Sequence, residues 1–120
     1  MNRDRFRRMV QQALEEIPEP FAQRIAGVAI VVRREPNAED RAEAGLEGDD
    51  ELFGLYTGTP LTERFDYQMA LPDRIVIFQG PHERHFSRDA LPREIRRTVM
   101  HEVAHHFGID DARLEELGME

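Results

Sequence analysis

Residues 98–111 read Thr-Val-Met-His-Glu-Val-Ala-His-His-Phe-Gly-Ile-Asp-Asp. His101 and His105 stand four apart and bracket Glu102. On an α-helix, residues four apart lie on nearly the same face, roughly 6 Å along the axis, so the two imidazoles can aim at one point. Zn–N bonds of about 2.0–2.1 Å demand such convergence. Glu102 lies about 100° round the helix from His101. That displaces it from the ligand direction and suits it to meet a water on the metal. Gly108 lets the chain turn sharply after the helix. Asp111, ten positions after His101, can then return as a third ligand. The bland alternative is a helix whose histidines are merely solvated. With this composition, His-Glu-x-x-His arises by chance in about 1 chain in 40, and with Gly and an acid at the later spacings in about 1 in 3,000. The full pattern therefore points to a metal site with His101, His105 and Asp111 as ligands and Glu102 as general base.

Other polar residues compete for these roles. Asp110 or Asp111 can cap a closing helix, and a carboxylate oxygen that caps is poorly placed to ligate. His106 follows a ligand and points about 100° away, so it flanks the site. His82 and His85 fall in a connecting segment with no companion motif. Arg93, Arg96 and Arg97 form a local basic cluster, most simply a solvated helix face.

The elements that must position the motif follow from periodicity. Phe6, Met9, Val10, Ala13, Leu14 and Ile17 have helical spacing, which predicts an amphipathic helix over 3–17 ended by Pro18-Glu19-Pro20. Residues 27–36 are β-branched and bounded by Gly and Pro, which predicts a strand. Residues 37–51 are acidic with few large apolar groups and are expected to be a solvated loop. Residues 51–61 read as a strand whose glycines mark turns or close backbone approach. A loop is expected over 64–72 and a compact buried strand over 74–81. Residues 81–92 should connect that strand to the metal-binding helix. This helix is expected from Pro92 to Phe107, with Pro92 in its first turn, Glu94 near the positive end of its dipole and Gly108 as a left-handed cap. A short helix over 110–117 closes the chain.

Bulk properties narrow the function classes. The chain has 120 residues, enough for one domain with one modest core. Its formal charge of −8 disfavours nucleic acid as a partner, because phosphate binding needs a basic face. It has no cysteine, so a transition metal must be held by His and carboxylate. All 16 basic residues are arginine. The N-terminus is charged throughout and lacks the apolar stretch of a secretory signal, and no apolar run approaches membrane-spanning length. A cytoplasmic protein without a membrane partner is expected.

The sequence resembles the zincin-type metallopeptidases, and more closely a family of minimal single-domain bacterial zincin-like proteins. The resemblance rests on residues 98–118 above all, with 54–64, 71–81 and the N-terminal helix. It implies an α+β fold over a single domain, residues 1–120. A small mixed β-sheet of about three to four strands would pack against the N-terminal helix and the His-Glu-x-x-His helix, followed by the short C-terminal helix. It implies one zinc per chain, held by His101, His105 and Asp111, with Glu102 as general base. The implied activity is peptide-bond hydrolysis by a zinc-activated water, on a peptide or small protein substrate. Tyr56, Arg64, Tyr67 and His106 are candidates to stabilise the oxyanion. An edge strand, taken as 74–78, could pair with an extended peptide. The sequence departs from related zincins in lacking a lower substrate-binding subdomain. Its only methionine after Asp111 is Met119, almost at the chain end. Two rival readings stay open. One is a catalytically weak or inactive zincin scaffold that binds or regulates a protein partner. The other is a metal-dependent nuclease, against which the net charge and Glu102 both argue.

Overall fold

The computed structural model describes residues 2–25, 27–46, 48, 50–58 and 73–116, the side chains of Asp111 and Leu114 apart. The expected loop over 64–72, and with it Arg64 and Tyr67, lies outside the described residues, as does Met119. The elements run α1 (Arg3–Glu15), α2 (Phe21–Ile25), β1 (Ala29–Arg33), α3 (Ala38–Glu43), β2 (Gly54–Thr57), β3 (Arg74–Phe78), α4 (Gln79–His85), α5 (Leu91–Phe107) and α6 (Asp111–Glu116). The fold is α+β. No helix among the described residues is long and apolar enough to cross a membrane.

The Asn2 side chain accepts a hydrogen bond from the Arg5 N–H and so caps α1. Phe6, Val10 and Ala13 recur at helical spacing and are buried against α5. α5 supplies the other half of that core with Ile95, Val99, Met100, Val103 and Phe107. Each such apolar side chain contributes about 1.5–3 kcal/mol on burial.

The sheet has the order β1-β3-β2. β1 runs parallel to β3, with Ala29 opposite Arg74, and β2 runs antiparallel to it, with Gly54 opposite Ile77. The central position explains the unbroken apolar run of β3, because a strand covered on both faces has no polar side. Ile75 and Ile77 enter the core against α1 and α5, whereas Val76 and Phe78 enter a second cluster with Leu52 and Leu55. The expectation that 74–78 forms an edge is thus corrected, and the outer strands among the described residues are β1 and β2.

Two expected loops contain helices. Within the acidic segment, Asn37 and Asp40 form a reciprocal capping box that starts α3. Asp40 is buried and pairs with Arg33 at 3.2 Å. Ala44 and Leu46 then pack on the second apolar cluster. This segment is largely exposed, as expected, but it contains a short helix and sets Ala44 and Leu46 against one face of the sheet. Its short helix depends on a polar cap, which an apolar periodicity does not register. The connection expected over 81–92 begins inside α4. Pro81 sits in the first turn of that helix, where its missing N–H would have no intrahelical partner. The Gly80 N–H instead donates to the Arg34 carbonyl at 2.8 Å.

α4 buries His82 completely. Its Nδ1–H donates to the Phe78 carbonyl at 2.7 Å, and its Nε2 lies 2.9 Å from the Thr98 hydroxyl on α5. Burial lowers its pKa below 6.5, although the Phe78 carbonyl favours the charged ring. The neutral ring is the folded form. An unfolded chain binds this proton near pH 6.5 and the folded chain binds it only at lower pH, so stability is full above about pH 6.5 and falls below it. The thermal midpoint should therefore drop between pH 7 and pH 5.5. The drop should be smaller in His82→Gln, which keeps a polar group but does not titrate. Parallel curves for the two proteins would contradict this.

Candidate metal centre

α5 presents the motif because its opposite stripe is apolar. Ile95, Val99, Met100 and Val103 turn inward, which carries His101 and His105 to the rim. His101 is partly buried, and the His105 side chain is 48% exposed. The two rings approach edge to face at a centroid distance of 4.5 Å. Glu102 is buried, and its Oε1 lies 3.3 Å from His105 Nδ1. One donor atom from each of His101, Glu102 and His105 falls within 4.8 Å of the others. Tetrahedral zinc bonds place donors about 3.3 Å apart, a gap that rotation of the half-exposed His105 ring can close. Two imidazoles from one helix face suit zinc, and Glu102 stands beside them where it would meet a bound water. His101 and His105 fit a metal.

After α5, Gly108 adopts φ 69° and ψ 29°, the left-handed cap that its position predicts. α6 then starts at Asp111. Asp110, not Asp111, is the cap, since its Oδ1 accepts from the Arg113 N–H at 2.8 Å. The capping role thus does not compete for the Asp111 carboxylate, which itself lies outside the described side chains.

The three clustered residues line a cleft of about 530 Å³. Its walls come from the end of α3 and the chain after it (Glu43, Ala44, Leu46), from residues 51–56 including most of β2, and from Arg97 and Thr98 on α5. β2 lies close over the helix at Gly54. A Cβ there would stand 2.8 Å from Thr98 Cγ2 and 3.0 Å from Glu102 Cγ. Only a residue without a side chain lets the strand pass at this distance. The glycine in the strand pattern was the sequence signal for this approach. No signal marked Thr98 or Arg97 as cleft residues.

The oxyanion candidates separate. Tyr56 lines the cleft, but its hydroxyl donates to Asp73 Oδ1 at 2.9 Å. His106 is buried, with Nδ1 3.5 Å from Asp73 Oδ2 and its ring edge-to-face with Tyr56. Asp73 therefore ties the start of β3 to β2 and to α5 next to His105. Its place before an apolar strand gave no hint of this. His82 is a satisfied core histidine. His85 is half exposed and lies 3.5 Å from Glu51.

Over residues 25–119 the chain matches the family model described as zincin-like metallopeptidase. A solved structure, that of a conserved hypothetical protein from Thermo thermophilus, is similar over 98% of this chain and 97% of that one. The identity is 24% and the TM-score 0.57, so this likeness shows the fold alone. No curated protein matches the chain.

The Gly54 contact is open to test. Gly54→Ala should destabilise the protein by about 1–3 kcal/mol through overpacking. By displacing Glu102, which lies 3.3 Å from His105 Nδ1, it should also shift the His105 ring and weaken zinc binding, read by competition with a chromophoric chelator. Unchanged stability and unchanged affinity would mean that β2 does not press on the helix.

Proposed function

The chain belongs to the zincin-like metallopeptidase family, and on that premise we propose that it hydrolyses peptide bonds in the cleft over α5. The observation that carries this reading is the convergence of His101, Glu102 and His105 within 4.8 Å on the floor of a cleft of about 530 Å³. His101 and His105 are the zinc ligands in this proposal, with Asp111 as the third. A bound zinc supplies a Lewis acid that polarises a carbonyl and acidifies water. With Nδ1 of a neutral His105 turned toward Glu102, Nε2 would offer the lone pair to a metal.

Glu102 acts as general base, taking a proton from the attacking water and passing it to the leaving amine. Burial of its carboxylate beside His105 supports that role, because both hold the acceptor in one orientation. An extended peptide pairs with the outer edge of β2, which among the described residues pairs only with β3. The charge of the lining supports a peptide over a polyanion, since Glu43, Glu51 and Glu102 stand there against Arg97.

A second reading is a zincin scaffold that binds a protein partner and turns over weakly. What favours it is the Tyr56 hydroxyl, which donates to Asp73 rather than into the cleft.

Elemental analysis of protein purified without a metal-affinity step should find one zinc per chain, and none in His105→Ala. Glu102→Gln should keep the zinc and lower peptide hydrolysis by about 10²–10⁴-fold. Full activity in Glu102→Gln would remove the base from the mechanism. One zinc per chain with no turnover of a peptide pool would leave the binding scaffold.

A further inference from the structure

The three arginines on α5 do not share one role. Arg93 Nε lies 3.5 Å from Glu94, and Arg96 Nε lies 3.0 Å from Glu16, the C-cap of α1. Those two contacts stay on the helix or bind it to α1. Arg97 is exposed, lines the cleft, and makes no ion pair among the described residues. Among the described residues it is the one Arg in the lining. We infer that Arg97 is a specificity-determining residue that binds a carboxylate of the substrate, close to the bond that is cut. The inference rests on the cleft being the peptide site.

Position sets the distance. Arg97 precedes His101 by four residues, so it lies on the same face, about 6 Å along the helix axis. An extended peptide advances about 3.3 Å per residue. The guanidinium therefore reaches a carboxylate about two residues from the reacting carbonyl. That carboxylate is an Asp or Glu side chain or a free C-terminus.

The charges around Arg97 leave it available for this contact. Glu51 is already held by Arg84 at 2.9 Å and lies 3.5 Å from His85. Glu102 lies beside His105. Glu43 is exposed on α3, a different wall, and no ion pair among the described residues joins it to Arg97. A guanidinium offers a planar fork that matches a carboxylate with two parallel hydrogen bonds. One such cation among several acids suits a single carboxylate and not a polyanion.

The test uses zinc-loaded full chain and a pool of defined decapeptides with free or amidated C-termini, read by mass spectrometry. Wild type should cut roughly tenfold faster where Asp, Glu or a free C-terminus lies within about two residues of the cut. Arg97→Ala should lose this preference, Arg97→Glu should turn it toward Lys and Arg, and Arg93→Ala should keep it. Cleavage with no such preference, or a preference unchanged in Arg97→Ala, overturns the inference and leaves hydrolysis standing. If nothing is cut, retention of the same pool on immobilised zinc-loaded protein decides. Acidic peptides held by wild type and released by Arg97→Ala support the inference while hydrolysis fails. Equal retention by both proteins, or none, overturns it.

Discussion

The close crossing of β2 over α5 governs the geometry of the site. At Gly54 the strand lies so near the helix that a methyl group would meet both Thr98 and Glu102. That crossing sets one wall of the cleft beside the clustered donors. It also covers the Glu102 carboxylate, which is buried. From below, His82 lies 2.9 Å from the Thr98 hydroxyl, so the residue that β2 presses on is fixed from the opposite side. Three segments distant in sequence thus set the position of one carboxylate.

The rest of the fold holds that crossing in place. β3 is central and buried on both faces, so β2 cannot shift its register without moving Leu55 out of the second apolar cluster. α5 is fixed by its apolar stripe against α1 and the sheet. Asp73 adds a polar tie, since it accepts from Tyr56 on β2 and faces His106 on α5. The helix that carries His101 and His105 is therefore held by packing on one side and by polar contacts next to those residues.

Much of this was legible from local pattern. α1, β1, β3, α5 and α6 follow runs whose period or composition is set within the element itself. The Gly108 cap was legible because only a residue tolerant of positive φ suits that turn. The fold class followed from the resemblance, which residues 98–118 carry above all. α3 and α4 were not legible. α3 is started by a side-chain cap and kept by packing on a sheet face that its own sequence does not mention. α4 hides behind Gly80-Pro81, which locally resembles a strand terminator and a turn.

The sequence by itself determined that His101 and His105 share a helix face, that Glu102 stands beside them, and that the chain turns at Gly108. Helix periodicity is a local property, so spacing alone carries it. Only the tertiary structure decided what surrounds those residues. It made β3 central and β2 the strand at the cleft, turned the Tyr56 hydroxyl toward Asp73, and separated Arg97 from Arg93 and Arg96. Each of these depends on contacts between residues far apart in the chain, and a spacing pattern holds no information about distances across a sheet or between a strand and a helix.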